Sequence, residues 1–159
     1  AFSRLGETAA HSTGAILAPR PAPITGIPEV DFSEWRKAKA VNASPPQAVF
    51  SWYMRSAYDP STTHEHAATL RVYAANCASI AELGTRNGDS SWMFLQGLQD
   101  SQASTEKKLL GYDLAKLPVA AAVWRAATAL GIRYRFVKAS SLAASIPDVD
   151  LLFVDTLHT

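Results

Sequence analysis

Three acidic residues stand where predicted strands of this chain end. Glu82, Asp113 and Asp155 each close a largely apolar run. Because the carboxyl ends of parallel strands meet at one edge of a sheet, we expect the three carboxylates around a single crevice. A carboxylate that ends the second strand can accept hydrogen bonds from both hydroxyls of a ribose. The pattern therefore predicts a nucleoside site at this edge.

Glu82 also opens a glycine-containing turn that joins the first predicted strand to a helix. Gly84 and Gly88 can take positive φ there and let a ligand approach the backbone closely. The free N–H groups at the start of the helix favour polar or anionic ligand groups. The candidates for capping this helix are Asp89, Ser90 and Ser91. A tight turn that binds nothing is the alternative interpretation.

The glycine spacing separates this turn from two other nucleotide-binding loops. A dinucleotide fingerprint needs three glycines as G-x-G-x-x-G, and a P-loop ends in Gly-Lys followed by Ser or Thr. Here Gly84 and Gly88 stand four positions apart, and the turn contains no lysine. A nicotinamide-dependent oxidoreductase is therefore the weaker interpretation.

Strands and helical segments alternate through the second half of the chain, which predicts an α/β fold. Four strands are predicted over residues 78–83, 107–113, 132–138 and 149–155. Helices are predicted over 89–99, 118–130 and, as a single turn, 140–145. Right-handed crossovers then give a parallel, Rossmann-like sheet flanked by helices. The third strand alternates aromatic residues with arginines, which suits an edge, so the expected spatial order is 3-2-1-4.

Two segments precede this unit. Residues 1–30 have the composition of an extended arm rich in proline and alanine, and residues 31–76 predict a helical lead-in. Three helices are expected in this lead-in: one capped by Asp31 or Ser33 and ending at about Ala40, one starting at Pro45, and one from Thr62 or Thr63 to about Asn76. The last of these should turn Leu70, Val72 and Tyr73 inward. The Rossmann-like domain then occupies residues 77–159.

The composition of the chain limits the classes of protein to which it can belong. With 159 residues, 48% of them hydrophobic, the chain is long enough for one domain with its own core. A net charge of +1 offers no basic field for nucleic acid, and no nucleic-acid partner is expected. No apolar run approaches the roughly 20 residues of a membrane helix. We expect a soluble, cytoplasmic protein, with an organelle as the alternative if Ala1 follows removal of a targeting peptide.

Three stretches of the sequence match one family. They are Ala81-Glu82-Leu83-Gly84-Thr85-Arg86-Asn87-Gly88-Asp89-Ser90-Ser91, then Gly111-Tyr112-Asp113, and the ending Asp150-Leu151-Leu152-Phe153-Val154-Asp155-Thr156-Leu157-His158-Thr159. With these, residues 69–159 resemble the first half of a class I S-adenosylmethionine-dependent methyltransferase. The likeness is to the branch that includes cephalosporin-hydroxylase-like and related small-molecule methyltransferases.

The resemblance implies a role for each matching position. Residues bordering the methionine part of the cofactor would be Glu82, Gly84 and Gly88, with Thr85 and Ser90 in the same cofactor-binding set. Asp113 would hold the ribose, while Ser140 and Ser141 would flank the adenine. Asp155 and His158 would face the methyl acceptor as base, orienter or metal ligand, so a divalent ion such as Mg²⁺ at Asp155 is an open alternative.

The expected activity is methyl transfer from S-adenosylmethionine to an oxygen or nitrogen of a small molecule. The family's fold continues for three more strands beyond the fourth, where this sequence ends, so we expect a truncated sheet. Its fourth strand would be an apolar edge that a second copy or a partner chain covers. The alternative function is a non-catalytic, methyltransferase-like structural subunit of a larger assembly, and catalysis by these residues alone is left open.

Overall fold

Four parallel strands form the sheet at the centre of the structure, a computed structural model that describes residues 44–61, 63–115 and 118–156. The strands are β1 (Ser79–Leu83), β2 (Lys108–Asp113), β3 (Arg133–Lys138) and β4 (Leu151–Val154). Their spatial order is β3-β2-β1-β4, and every neighbouring pair is parallel. The predicted α/β class and the predicted order 3-2-1-4 are confirmed.

Four α-helices flank this sheet in the described ranges. They are α1 (Pro45–Tyr58), α2 (Ala67–Ala75), α3 (Asp89–Asp100) and α4 (Pro118–Ala129), and a single 3₁₀ turn, His64–His66, precedes α2. The proline that opens α1 confirms the predicted start, because an N1 proline loses no intrahelical hydrogen bond. None of these helices is long and apolar enough to cross a membrane.

Some predictions fall on residues that the structure does not describe. The arm over 1–30, the helix expected after Asp31 and the candidate His158 lie outside the described ranges, as does Thr62. Their predictions are neither confirmed nor contradicted.

The inward face of α2 differs from the prediction. Leu70 is buried as expected, but Tyr73 is 43% exposed and Val72 is only half-buried, while Ala74 is fully buried. The reason is the close approach of α3, where a Cβ on Gly97 would lie 2.4 Å from the Ala74 Cβ. Only small side chains fit between helices this close, so Ala74 faces Gly97 and the larger Tyr73 does not.

The segment predicted as a one-turn helix over 140–145 is a turn instead. The Ala143 N–H donates to the Ser140 carbonyl at 3.0 Å, and the Leu142 N–H donates to the Ser140 hydroxyl at 3.3 Å. The serine side chain thus offers the backbone a local partner in place of the next helical turn.

The two faces of the sheet are covered differently. On one face, fully buried Ile80 and Leu109 lie towards the helices, and the Phe153 ring meets the Phe94 ring of α3 edge-on at 5.2 Å. On the other face, Leu83 and its neighbours pack against the irregular connection 139–150. This follows from topology, since the right-handed crossover from β3 to β4 must pass over the face opposite the other two crossovers.

The outer edge of β4 has no strand beside it in the described part of the chain. Leu152 and Val154 are about half exposed there. In the described part of the chain, β4 therefore exposes apolar side chains.

The close contact between α2 and α3 can be tested by Gly97→Ala. Alanine is the better helix former by about 1 kcal/mol, yet the added Cβ would lie 2.4 Å from both the Ala74 Cβ and the Arg71 carbonyl oxygen. We expect overpacking to prevail and to lower the free energy of unfolding by about 1–3 kcal/mol. Denaturant unfolding measures this, with Ala121→Ser at an exposed position of α4 as the control. A stabilised Gly97→Ala variant would contradict the close packing.

Candidate functional site

A crevice of about 460 Å³ lies at the carboxyl ends of the central strands. Among the predicted site residues, those that line it are Gly84, Asp113, Ser140, Ser141 and Asp155. An adjoining cavity of about 260 Å³ follows the glycine loop. Gly84 and Asp155 line this cavity too, and it adds the predicted Thr85, Gly88 and Ser90. The structure thus brings all the described candidates to one place except Glu82, which lies beneath the loop.

Both loop glycines take the predicted left-handed conformation, with φ of 92° at Gly84 and 81° at Gly88. Both also lie against the protein itself. A Cβ on Gly84 would stand 2.1 Å from the Asp155 carbonyl oxygen, and one on Gly88 would stand 2.5 Å from a Val119 methyl group. The fold therefore requires glycine at both positions whether or not a ligand binds.

The start of α3 differs from the prediction that Asp89, Ser90 or Ser91 caps it. Gly88 occupies the N-cap position, and no side chain makes a capping hydrogen bond. The Ser90 hydroxyl donates instead to one carboxylate oxygen of Glu82. The Ser91 hydroxyl donates to the other oxygen at 2.5 Å. A fully buried carboxylate is costly without hydrogen-bond donors, so the two serine hydroxyls pair with Glu82 and not with the N–H groups of their own helix.

Glu82 is fully buried between β1 and α3. Burial raises its pKa from the ordinary 4.5 to about 7, although the hydrogen bonds from the two serines oppose the increase. The negative charges of Asp155 and Asp113 raise this pKa further. The three acids are therefore close enough to interact, as the strand ends predicted, but only two of them line the crevice.

Asp113 joins the end of β2 to the glycine loop. Its Oδ2 atom accepts a hydrogen bond from the Arg86 N–H at 2.8 Å and a longer one from the Thr85 hydroxyl at 3.5 Å, while Oδ1 accepts from the Ala115 N–H at 3.3 Å. A carboxylate offers about four lone-pair directions, so acceptor capacity is left for a ligand. Arg86 itself has φ of 42°, a left-handed conformation unusual for a side chain of its size.

The sequence interpretation missed six residues that line the crevice: Arg86, Tyr112, Leu114, Ala139, Leu142 and Thr156. Two of these are exposed apolar side chains. Leu114 and Leu142 line the crevice, and they are 68% and 98% exposed. Exposed leucines cost free energy unless something covers them, so apolar side chains beside Asp113 and Ser141 are a usable signal of an apolar ligand surface. The sequence showed them only as apolar residues in otherwise polar turns.

Asp155 follows β4 directly and is held by its own N–H, which donates to the Leu83 carbonyl at 2.9 Å. The described ranges contain no group of three or more His, Cys, Asp or Glu side chains arranged to hold a metal ion. A metal at Asp155 would need further ligands, such as His158 or a substrate oxygen, and it stays a prediction.

Comparison with protein-family models and with curated proteins found no match to this chain. The likeness to methyltransferases therefore rests on the sequence motifs and stays a prediction.

The raised pKa of Glu82 makes stability depend on pH. A folded-state pKa of about 7 against 4.5 means that the folded protein holds this proton more tightly than the unfolded chain does. The resulting stabilisation is full below pH 4.5, declines as pH rises, and is lost above about 7; it is worth on the order of 3 kcal/mol.

The test is the free energy of unfolding from pH 5 to 8 for the native chain and for Glu82→Gln, which stays neutral. We expect the native chain to lose stability relative to the variant as pH rises through this range. Two parallel curves would show that Glu82 does not titrate there.

Proposed function

We propose that the crevice binds S-adenosylmethionine, and that the chain is a methyltransferase, or the cofactor-binding half of one, acting on an oxygen or nitrogen of a small molecule. The observation that carries the proposal is the position of Asp113. Its carboxylate lines the crevice at the end of β2, next to the strand that carries the glycine loop, and keeps acceptor capacity. One ribose hydroxyl can donate to the remaining lone-pair direction, and the neighbouring hydroxyl can donate by replacing the long 3.5 Å contact from Thr85.

The other walls of the crevice suit the remaining parts of the cofactor. Exposed Leu114 and Leu142 offer apolar surface to a planar base, and the Ser140 and Ser141 hydroxyls stand beside them. At the other end, Gly88, Asp89 and Ser90 at the start of α3 line the smaller cavity, and a helix N-terminus favours a carboxylate. The crevice of about 460 Å³ lies within the roughly 300–1,000 Å³ of small-molecule sites. The adjoining cavity of about 260 Å³ shares Gly84, Arg86 and Asp155 with it.

When bound, the cofactor would supply an activated methyl group. The protein would then have to position an acceptor and take up its proton. Asp155 lines both cavities and can do this as a carboxylate base or orienter. His158, the other proposed residue, lies outside the described ranges.

A structural subunit with a methyltransferase-like fold is the second candidate, and a specific observation favours it. Gly84, Gly88 and Glu82 are each explained by contacts within the protein, so their presence does not require a ligand. The half-exposed apolar residues of β4 also suit a covering copy or partner chain. Ligand binding therefore has to decide between the two candidates.

The deciding measurement is calorimetric titration of the chain with S-adenosylhomocysteine. We expect binding that Asp113→Asn weakens at least tenfold, because one acceptor oxygen becomes an amide donor. The remaining oxygen of the asparagine can still accept from the Arg86 N–H, which protects the loop. Asp148→Asn, an exposed acid that lines neither cavity, is the matched control and should bind as the native chain does.

Absence of binding by a folded native chain would move the assignment to the structural subunit. Equal binding by native chain and Asp113→Asn would remove the ribose role from this residue.

Magnesium provides a separate test. If Asp155 holds a divalent ion, then Mg²⁺ should strengthen S-adenosylhomocysteine binding or bind directly in the calorimeter, and Asp155→Asn should abolish the effect. Identical titrations with and without Mg²⁺ would leave Asp155 as base or orienter only.

A further inference from the structure

The sheet face opposite the helices carries a groove of about 640 Å³. It lies between β2 and β3 on one side and the connection 139–150 on the other. Parallel sheets are normally covered on both faces, usually by helices. In the described residues this face has only the irregular connection, which packs over Leu83 and Tyr112 and leaves the β3 side open.

The groove combines an apolar floor with a basic side. Leu110 and Val137 form the floor with Tyr112, and both are only half-buried. Small and apolar residues of the connection form the opposite wall; they are Ala139, Ala143, Ala144 and Pro147. The basic residues that line the groove are Lys108, Arg133 and Arg135.

Strand register makes these cations neighbours. Lys108 stands beside Arg133, and Arg135 stands beside Leu110 of the floor. Glu106 is shared between the first two, with its Oε2 atom 3.2 Å from the Lys108 amine and 3.6 Å from the Arg133 guanidinium. Within the described part of the chain Arg135 has no ion pair, so the groove holds an excess of positive charge.

We propose that this groove docks an acidic amphipathic helix of a partner protein. Arg133 and Arg135 are two residues apart on a strand and therefore about 7 Å apart. Acidic residues at i and i+4 of a helix rise about 6 Å along its axis, so both can meet the arginines. The apolar stripe of the helix then covers Leu110 and Val137, which completes the missing layer of the sheet.

The probe is a labelled, acetylated 18-residue peptide of leucine, alanine and glutamate. Its leucines repeat at i, i+3, i+4 and i+7, and glutamates border that stripe on one side. Its control has lysine in place of every glutamate. Binding to the full 159-residue chain is followed by fluorescence anisotropy at low and high salt.

We expect the acidic peptide to bind at least tenfold more tightly than the lysine peptide, with an advantage that salt reduces. Arg135→Glu should remove this advantage and improve binding of the lysine peptide. Arg125→Glu, an equal charge change on an exposed residue of α4, should change binding less than twofold. Both variants alter exposed positions, and thermal unfolding checks that each is folded.

Other results would overturn the proposal. These are no peptide binding, equal binding of both peptides, or equal losses in the two variants. If the native chain forms a dimer and Arg135→Glu dissociates it, a second copy of the chain occupies the groove and the proposed partner helix does not. S-adenosylhomocysteine binding by Arg135→Glu should equal that of the native chain, so the two proposals can fail independently.

Discussion

The buried carboxylate of Glu82 is the group on which the arrangement at the carboxyl ends of the strands depends. It lies inside the protein with the Ser90 and Ser91 hydroxyls as its partners. A carboxylate without such partners would cost several kcal/mol, so β1 and α3 are bound to one relative position. The loop between them must then close over a short distance, which forces the left-handed turns at Gly84 and Gly88.

This constraint gives the crevice its shape before any ligand binds. The loop lies against the backbone of Asp155 and the side chain of Val119, and the Asp113 carboxylate holds it from the β2 side. A preformed site spends less free energy on ordering when a ligand arrives. The same contacts would also stabilise a structural subunit that binds no ligand. Only the unused acceptor capacity of Asp113 is an argument for a nucleoside in particular.

The sheet was predictable because its signals are local. Apolar runs marked the strands, and the arginines that alternate along β3 placed it at the edge. The strand-end acids then indicated where the crevice would be. These inferences need only the periodicity of a strand and the crossover rule.

What the sequence could not predict depends on contacts between distant residues. Ser90 and Ser91 have the residue type of helix caps, yet a carboxylate from β1 takes both hydroxyls. Tyr73 belongs to the apolar pattern of α2, yet Gly97 brings α3 so close that Ala74 is buried in its place. Each error arises where a tertiary contact outweighs a local preference.

The connection 139–150 forms part of both the crevice and the groove, for which we propose a ligand and a partner helix. Its first part, with Ser140 and Leu142, lines the crevice, while Ala143 and Ala144 line the groove. The hydroxyl of Tyr112, which lines both, donates to the Ser145 carbonyl at 3.2 Å and holds the connection against the sheet. Since this segment forms a wall of each cavity, any displacement of it changes the shape of both at once.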